Sequence, residues 1–344
     1  MGLMNKQWIL EKRPVGLPEV GDVVFAEQVV PDLSANEVVV RNEYASLDPA
    51  IRGWMSDAPN YIPPIPLGTS VWATTVGRVI KSKSSALKIG DLVMGFGNWS
   101  EYSVQQDQLL MKIPDDGRFP LSNYLSVLGY TGFTAYFGLL DVGKPEVGET
   151  VVVSAAAGAV GSIVGQIAKI KGCRAVGLAG SDEKCRKLID MYGFDAAINY
   201  KTAKKQEGGI AQALAGCCPN GIDVYFDNVG GDILDAVLMN INEGARIPMC
   251  GAIASYNETN PVPGPYNMWQ LLVKSARIEG FLVSSYIPER LDEAIVVLSK
   301  WVSEGKIKHA EHIVDGVDQC LNAFHLLFNG GNKGKLMVRV ADPR

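Results

Sequence analysis

Between about Gly129 and Gly305, short apolar runs of strand length alternate with longer stretches of helical period. Few folds accept that alternation, because strands joined by crossover helices must lie parallel and be covered on both faces. The runs are Thr150 to Ser154, Arg174 to Leu178, Ala196 to Asn199, Ile222 to Phe226, Ala245 to Met249 and Ala276 to Phe281. They predict an α/β fold built on a doubly wound parallel sheet. One helix is expected after Ser181-Asp182-Glu183-Lys184, where Ser or Asp would cap it. Another is expected from about Pro288 to Val302, with Leu291, Ala294, Ile295 and Leu298 on one face.

The segments on either side have a different texture. Up to about Pro120, strands such as Val38-Val39-Val40, Val76 to Ile80 and Leu92-Val93-Met94 are broken by Gly, Pro, Asp and Asn, the pattern of a small β-rich domain. After Gly305, too few elements remain for a domain of their own. Residues 1–128 and 306–344 are therefore expected to form one domain, with the sheet domain 129–305 inserted between them. A chain of 344 residues exceeds the usual limit of one core, and the cleft between two domains is where a ligand is expected.

Acidic residues outnumber basic ones 37 to 32 and no basic run interleaves with aromatics, so a nucleic-acid partner is not expected and a small molecule is. The first residues lack the apolar stretch of a signal peptide, and Val151 to Ile170 reads as strand, turn and helix rather than a membrane span. A cytoplasmic protein without membrane contact is expected. Cys173, Cys185, Cys217, Cys218, Cys250 and Cys320 form no CxxC pair and do not cluster with His309, His312 or His325. They read as reduced thiols, and no metal site is expected.

Directly after the first strand of the sheet comes Ala156-Ala157-Gly158-Ala159-Val160-Gly161, the dinucleotide-binding glycine pattern with alanine in its first place. Gly158 would let the backbone approach a pyrophosphate, Gly161 would let the next helix sit close to the strand, and the helix amides would face the phosphate charge. An acid at the tip of the second strand would hold a ribose 2′-hydroxyl, yet that strand ends Leu178-Ala179-Gly180-Ser181, with Asp182 better read as a helix cap. Lys184 could meet a 2′-phosphate instead, with Tyr200 beside it, so NADPH is the expected cofactor.

Several stretches resemble one known family: Gly129-Tyr130-Thr131-Gly132-Phe133-Thr134-Ala135-Tyr136, Ala155 to Gly161, Gly180 to Lys184, Asn199-Tyr200-Lys201-Thr202, Tyr225-Phe226-Asp227-Asn228-Val229-Gly230-Gly231 and Cys250-Gly251-Ala252-Ile253. With Asp48-Pro49-Ala50-Ile51-Arg52 and Gly331-Asn332-Lys333-Gly334-Lys335, they resemble the prostaglandin reductase, plant alkenal double-bond reductase and bacterial curcumin reductase group of zinc-independent medium-chain dehydrogenase/reductases. The resemblance implies a Rossmann domain inserted into a GroES-like domain, usually in a homodimer. It implies NADPH contacts at Gly158, Ala159, Val160, Gly161, Ser181, Lys184, Tyr200, Asn228, Cys250, Gly251, Ala252, Phe281, Leu282, Val283 and Asn332. Zinc-dependent relatives carry a catalytic Cys and a Gly-His-Glu motif, where this chain has Ser46-Leu47-Asp48 and Leu67-Gly68-Thr69, and the four-cysteine zinc lobe is missing.

The implied reaction is NADPH-dependent reduction of the C=C bond of an α,β-unsaturated ketone or aldehyde. Without a metal, hydride delivery to the β-carbon throws charge onto the carbonyl oxygen, and a hydrogen-bond donor must meet it there. Tyr256, in Ser255-Tyr256-Asn257 beyond the fifth strand, is the candidate donor. Tyr61 and Tyr44 rank second, as pocket walls, while Met268 and Trp269 would line an apolar pocket or a dimer interface. A quinone reductase and a non-catalytic NADPH sensor are the alternatives. The particular enone depends on loops near Tyr61 and Pro261 to Tyr266 that pattern alone does not shape.

Overall fold

The computed structural model describes residues 2–340, which form two compact units: one over Ser126–Ala310, the other from the described residues before and after it. The division falls at 125/126 and 310/311, where the sequence suggests 128/129 and 305/306.

The first unit opens with strands β1 (Met4–Leu10), β2 (Val23–Val29) and β3 (Glu37–Ser46), helix α1 (Ala50–Trp54), then β4 (Thr69–Ser70), β5 (Trp72–Ser82), β6 (Leu92–Asn98), β7 (Tyr102–Gln106) and β8 (Leu110–Lys112). β3 is its spine. It pairs antiparallel with β5 from Val38↔Ser82 to Ala45↔Thr75, and with β7 on its other side. Register shifts at Val39/Val40 and Asn42/Tyr44 insert extra residues, and such bulges bend a strand enough to curl a sheet toward a barrel.

In the second unit, α2 (Tyr130–Phe137) leads to β9 (Thr150–Val153), α3 (Ala159–Ile170), β10 (Arg174–Ala179), α4 (Asp182–Asp190), β11 (Ala196–Asn199), α5 (Tyr200–Ala203) and α6 (Gly209–Cys217). β12 (Ile222–Phe226), α7 (Gly231–Leu238), β13 (Ile241–Met249), α8 (Trp269–Val273), β14 (Arg277–Gly280) and α9 (Ile287–Ser303) follow. The strand order β11-β10-β9-β12-β13-β14, parallel throughout, is the doubly wound order. All of β9, Thr-Val-Val-Val, is buried, as a central strand covered on both faces requires. The chain runs outward from β9 in one direction and then returns to β12 on its other side. The carboxyl ends of β9 and β12 thus flank the switch point, the place where such sheets hold ligands.

Two details depart from the sequence reading. Ser181, not Asp182, caps α4: its hydroxyl accepts the Lys184 N–H at 3.2 Å, while Asp182 accepts from the Asn199 amide at 2.7 Å. β13 begins at Ile241, ahead of the expected Ala245, because Asn242-Glu243-Gly244, which reads as a turn, forms a bulge with Gly244 at φ +72°.

The chain then rejoins the first unit through β15 (Glu311–Asp315), α10 (Cys320–Asn329) and β16 (Lys335–Arg339), with β16 antiparallel to β3. α10 covers a core of Trp8, Trp54, Trp99 and Phe324, and the Trp8 indole donates to Val317 O at 2.8 Å. Among the described residues no helix is long and apolar enough to cross a membrane.

Candidate active site

The expected glycine cradle lies where β9 turns into α3. Ala155 takes the left-handed conformation at φ +46°, which costs an L-residue about 1–2 kcal/mol. The turn is thus made one residue before the first glycine place, which explains why alanine is accepted at position 156. At Gly161 a Cβ would meet Ala155 O at 2.6 Å and Ala156 Cα at 2.8 Å, so only glycine lets α3 come this close. Gly158 caps α3 without any side-chain bond, so the first-turn amides of Ala159, Val160 and Gly161 are not taken by a capping side chain. A pyrophosphate fits that end of the helix.

The tip of β10 bears no carboxylate. Beyond it, Gly180 faces the start of α5, where a Cβ would meet the Tyr200 hydroxyl at 3.2 Å and Lys201 Cε at 3.5 Å. The Asn199 side chain accepts the Lys201 and Thr202 N–H groups while its amide donates to Asp182, tying the α4 and α5 starts together. Lys184 is half-buried, and its ammonium is pushed below the usual lysine range, first by burial and then by repulsion from Lys201. Two converging cations at an acid-free strand tip suit a 2′-phosphate. Lys201 was not singled out from the sequence, though it follows Tyr200 directly. The Ser181 hydroxyl accepts the Lys184 N–H as the cap of α4 and keeps its own proton to donate.

A third cluster forms at the ends of β12 and β13. The Asn228 backbone donates to the Ser154 hydroxyl at 2.9 Å and its side chain to Ser154 O at 2.8 Å, which fixes its orientation. The Cys250 and Gly251 N–H groups both donate to Asp227 O, at 2.8 and 3.1 Å. Glycine at 251 leaves room for Tyr256, whose hydroxyl stands 3.0 Å from where a Cβ would be. The Tyr256 oxygen accepts the Ala252 N–H at 3.1 Å and so keeps its own proton to donate. Burial raises its ionisation above the usual tyrosine range, which keeps the phenol neutral. The cysteine thiols are buried or half-buried, and that of Cys250 is pushed up to about 12 by burial and then by Asp227.

The remaining candidates differ in their surroundings. The half-buried Phe281 ring packs on Gly138 and lies edge-on to Phe226, the last residue of β12, at 6.1 Å, while Leu282 is exposed and Val283 opens a short turn. In the first unit, Asn332 donates to Gly334 O at 3.0 Å within its glycine turn. Tyr61 is 53% exposed and its hydroxyl accepts from the Trp54 indole at 3.1 Å. Tyr44 is buried in β3, whereas Met268 and Trp269 are exposed. Where Ser46 and Asp48 stand, the buried Lys335 ammonium donates to the Ser46 hydroxyl at 2.5 Å and pairs with the Asp48 carboxylate, which the Ser46 hydroxyl also contacts.

Comparison with known proteins agrees with this geometry. Residues 6–113 match the family model described as the N-terminal domain of oxidoreductase, and 159–300 the one described as zinc-binding dehydrogenase. The chain is 42% identical over 341 residues to the NADPH-dependent curcumin reductase of Escherichia coli (strain K12), covering 98% of this chain and 97% of the relative. This chain is a medium-chain dehydrogenase/reductase. It is also 41% identical over 346 residues to the 2-alkenal reductase (NADP(+)-dependent) of Nicotiana tabacum, covering 98% of each. The crystal structure of CurA from Vibrio vulnificus in complex with NADPH superposes with a TM-score of 0.92 at 40% identity, covering 98% of this chain and 100% of that one. Glycine cradle, lysine pair and family agree: this medium-chain dehydrogenase/reductase is an NADP-dependent oxidoreductase, and NADPH is its cofactor.

Proposed function

We propose that this enzyme reduces the C=C bond of α,β-unsaturated ketones or aldehydes without a metal, and that Tyr256 supplies the hydrogen bond to the carbonyl oxygen. The observation that carries this reading is the half-buried, neutral phenol of Tyr256, held by the Ala252 N–H at the carboxyl end of the sheet with its proton still to give. When bound, NADPH supplies a hydride, two electrons with one hydrogen nucleus, to the β-carbon. The Tyr256 hydroxyl stabilises the charge that gathers on the substrate oxygen, and one proton from solvent then completes the saturated product. Relatives named for curcumin and for 2-alkenals support an enone as the substrate class.

Gly158 and the first turn of α3 would hold the pyrophosphate, Lys184, Lys201 and Tyr200 the 2′-phosphate, and Asn228 with Cys250 to Ala252 the nicotinamide half. Metal independence is supported by what occupies Ser46 and Asp48, namely an internal ammonium that already answers the carboxylate's charge. The protein is further read as a cytoplasmic homodimer. The free edge of β14, next to exposed Trp269, Leu272 and Val273 on α8, supports the dimer, since an open strand edge beside apolar side chains can pair with its copy. A panel of enones, alkenals and quinones with NADPH tests the reading: turnover of quinones alone would overturn it.

A further inference from the structure

One buried group in the second unit has no part in the reaction as described. Asp227, directly after β12, is fully buried. Its Oδ1 accepts hydrogen bonds from the Tyr225 hydroxyl at 2.8 Å, the Ser154 hydroxyl at 3.2 Å, and the Val229 and Gly230 N–H groups at 2.9 Å each. Its backbone oxygen receives the Cys250 and Gly251 N–H groups. The ends of β9, β12 and β13 therefore meet on this one residue. Its Oδ2 is buried and accepts no hydrogen bond.

Scaffolding alone does not call for that second oxygen. An asparagine would offer the same acceptor to all four donors and make the same turn through its amide oxygen. Burying a neutral amide also costs less than burying a carboxylate with one oxygen unpaired. The charge therefore has a use besides holding the loops. It is felt there: after burial, the carboxylate contributes to the upward shift of the Cys250 thiol and of the Tyr256 phenol.

Loss of hydride leaves one positive charge on a nicotinamide ring, and that charge distinguishes NADP+ from NADPH at this end of the cofactor. Resting on the cofactor placement proposed above, we propose that Asp227 is a positioning residue whose buried charge favours the oxidised ring over the reduced one. It thereby eases hydride departure toward the substrate β-carbon while itself exchanging neither proton nor electrons.

The test is Asp227→Asn, with the dissociation constants of NADP+ and NADPH measured separately by quenching of tryptophan fluorescence. The expected result is a loss of NADP+ affinity of about tenfold, or 1.4 kcal/mol, with NADPH within about twofold of the parent. Equal weakening of both nucleotides would assign Asp227 to scaffolding alone and overturn the proposal, as would no change in either. Tyr225→Phe removes one hydrogen bond but leaves the charge, and serves also if the Asn variant does not fold. Its affinity ratio should stay at the parent value or move toward NADP+, and a ratio shifted toward NADPH would overturn the proposal. A parent enzyme that binds neither nucleotide would defeat the cofactor placement itself, and this inference with it.

Discussion

Lys184→Ala probes the 2′-phosphate site most sharply, because only one of the two nicotinamide cofactors carries the group that Lys184 would meet. In the free protein the Lys184 ammonium is pushed below the usual lysine range, first by burial and then by Lys201, with Glu183 acting in the opposite direction. On the placement proposed above the same ammonium would face a phosphate in the loaded protein, and a charge-assisted bond of that kind contributes about 1.5–3 kcal/mol. Lys184 is only half-buried and Lys201 remains, so the lower end applies, about tenfold in NADPH dissociation constant. NADH lacks the phosphate and should bind the variant and the parent alike. Titration of both cofactors by tryptophan quenching at two ionic strengths reads this directly, with salt weakening NADPH more in the parent than in the variant. Equal loss for NADH and NADPH, or no loss for either, would refute the assignment.

Tyr256→Phe should lower kcat by about two orders of magnitude, the typical cost of removing one aligned oxyanion donor. It also strands the Ala252 N–H, and about 1 kcal/mol of lost stability would lower the melting temperature by about 2–4 °C in a unit of this size; unchanged turnover with a rate-limiting hydride step would remove Tyr256 from the mechanism. Because burial lifts the Tyr256 ionisation above its ordinary value of 10.0, the neutral donor persists to higher pH, and kcat should show no loss from this group through pH 9 or so; a turnover limb near pH 8 that Tyr256→Phe abolishes would contradict this. Trp269→Glu combined with Leu272→Glu should convert a dimer to a monomer in sedimentation, and a monomeric parent would defeat the interface. Dialysis against a chelator should leave the rate unchanged, while Lys335→Met, which strands the Asp48 carboxylate, should cost about 3 kcal/mol of stability, the low end for a broken buried pair because Asp48 keeps some exposure; activity lost on dialysis and restored by zinc would refute metal independence.

The central strands of the parallel sheet were legible in the sequence because strands buried on both faces must be largely β-branched or apolar, as β9 is throughout and β12 is apart from Asp223. The glycine cradle was legible because close approach of helix and strand demands glycine at 161. What stayed hidden depends on chain returning from a distance. Lys201 gains its meaning from the α5 start folding against Gly180, and no local spacing marks that approach. Lys335 meets Asp48 across 287 residues of sequence. The Ala252 bond to Tyr256 spans only four residues but requires the short turn after β13, whose shape no propensity dictates. The misplaced start of β13 has the same origin, since a bulge with glycine in a left-handed conformation reads as a turn until a partner strand continues past it.

Whether the enzyme reduces carbon–carbon rather than carbon–oxygen double bonds is decided by the fate of a labelled hydride. With NADPH carrying deuterium on the transferred face of C4 and a simple enone as substrate, the expected product is a saturated ketone with one deuterium on the β-carbon, seen by NMR and mass spectrometry. An allylic alcohol with deuterium on the former carbonyl carbon, or cofactor oxidation with quinones and none with any enone, would contradict it.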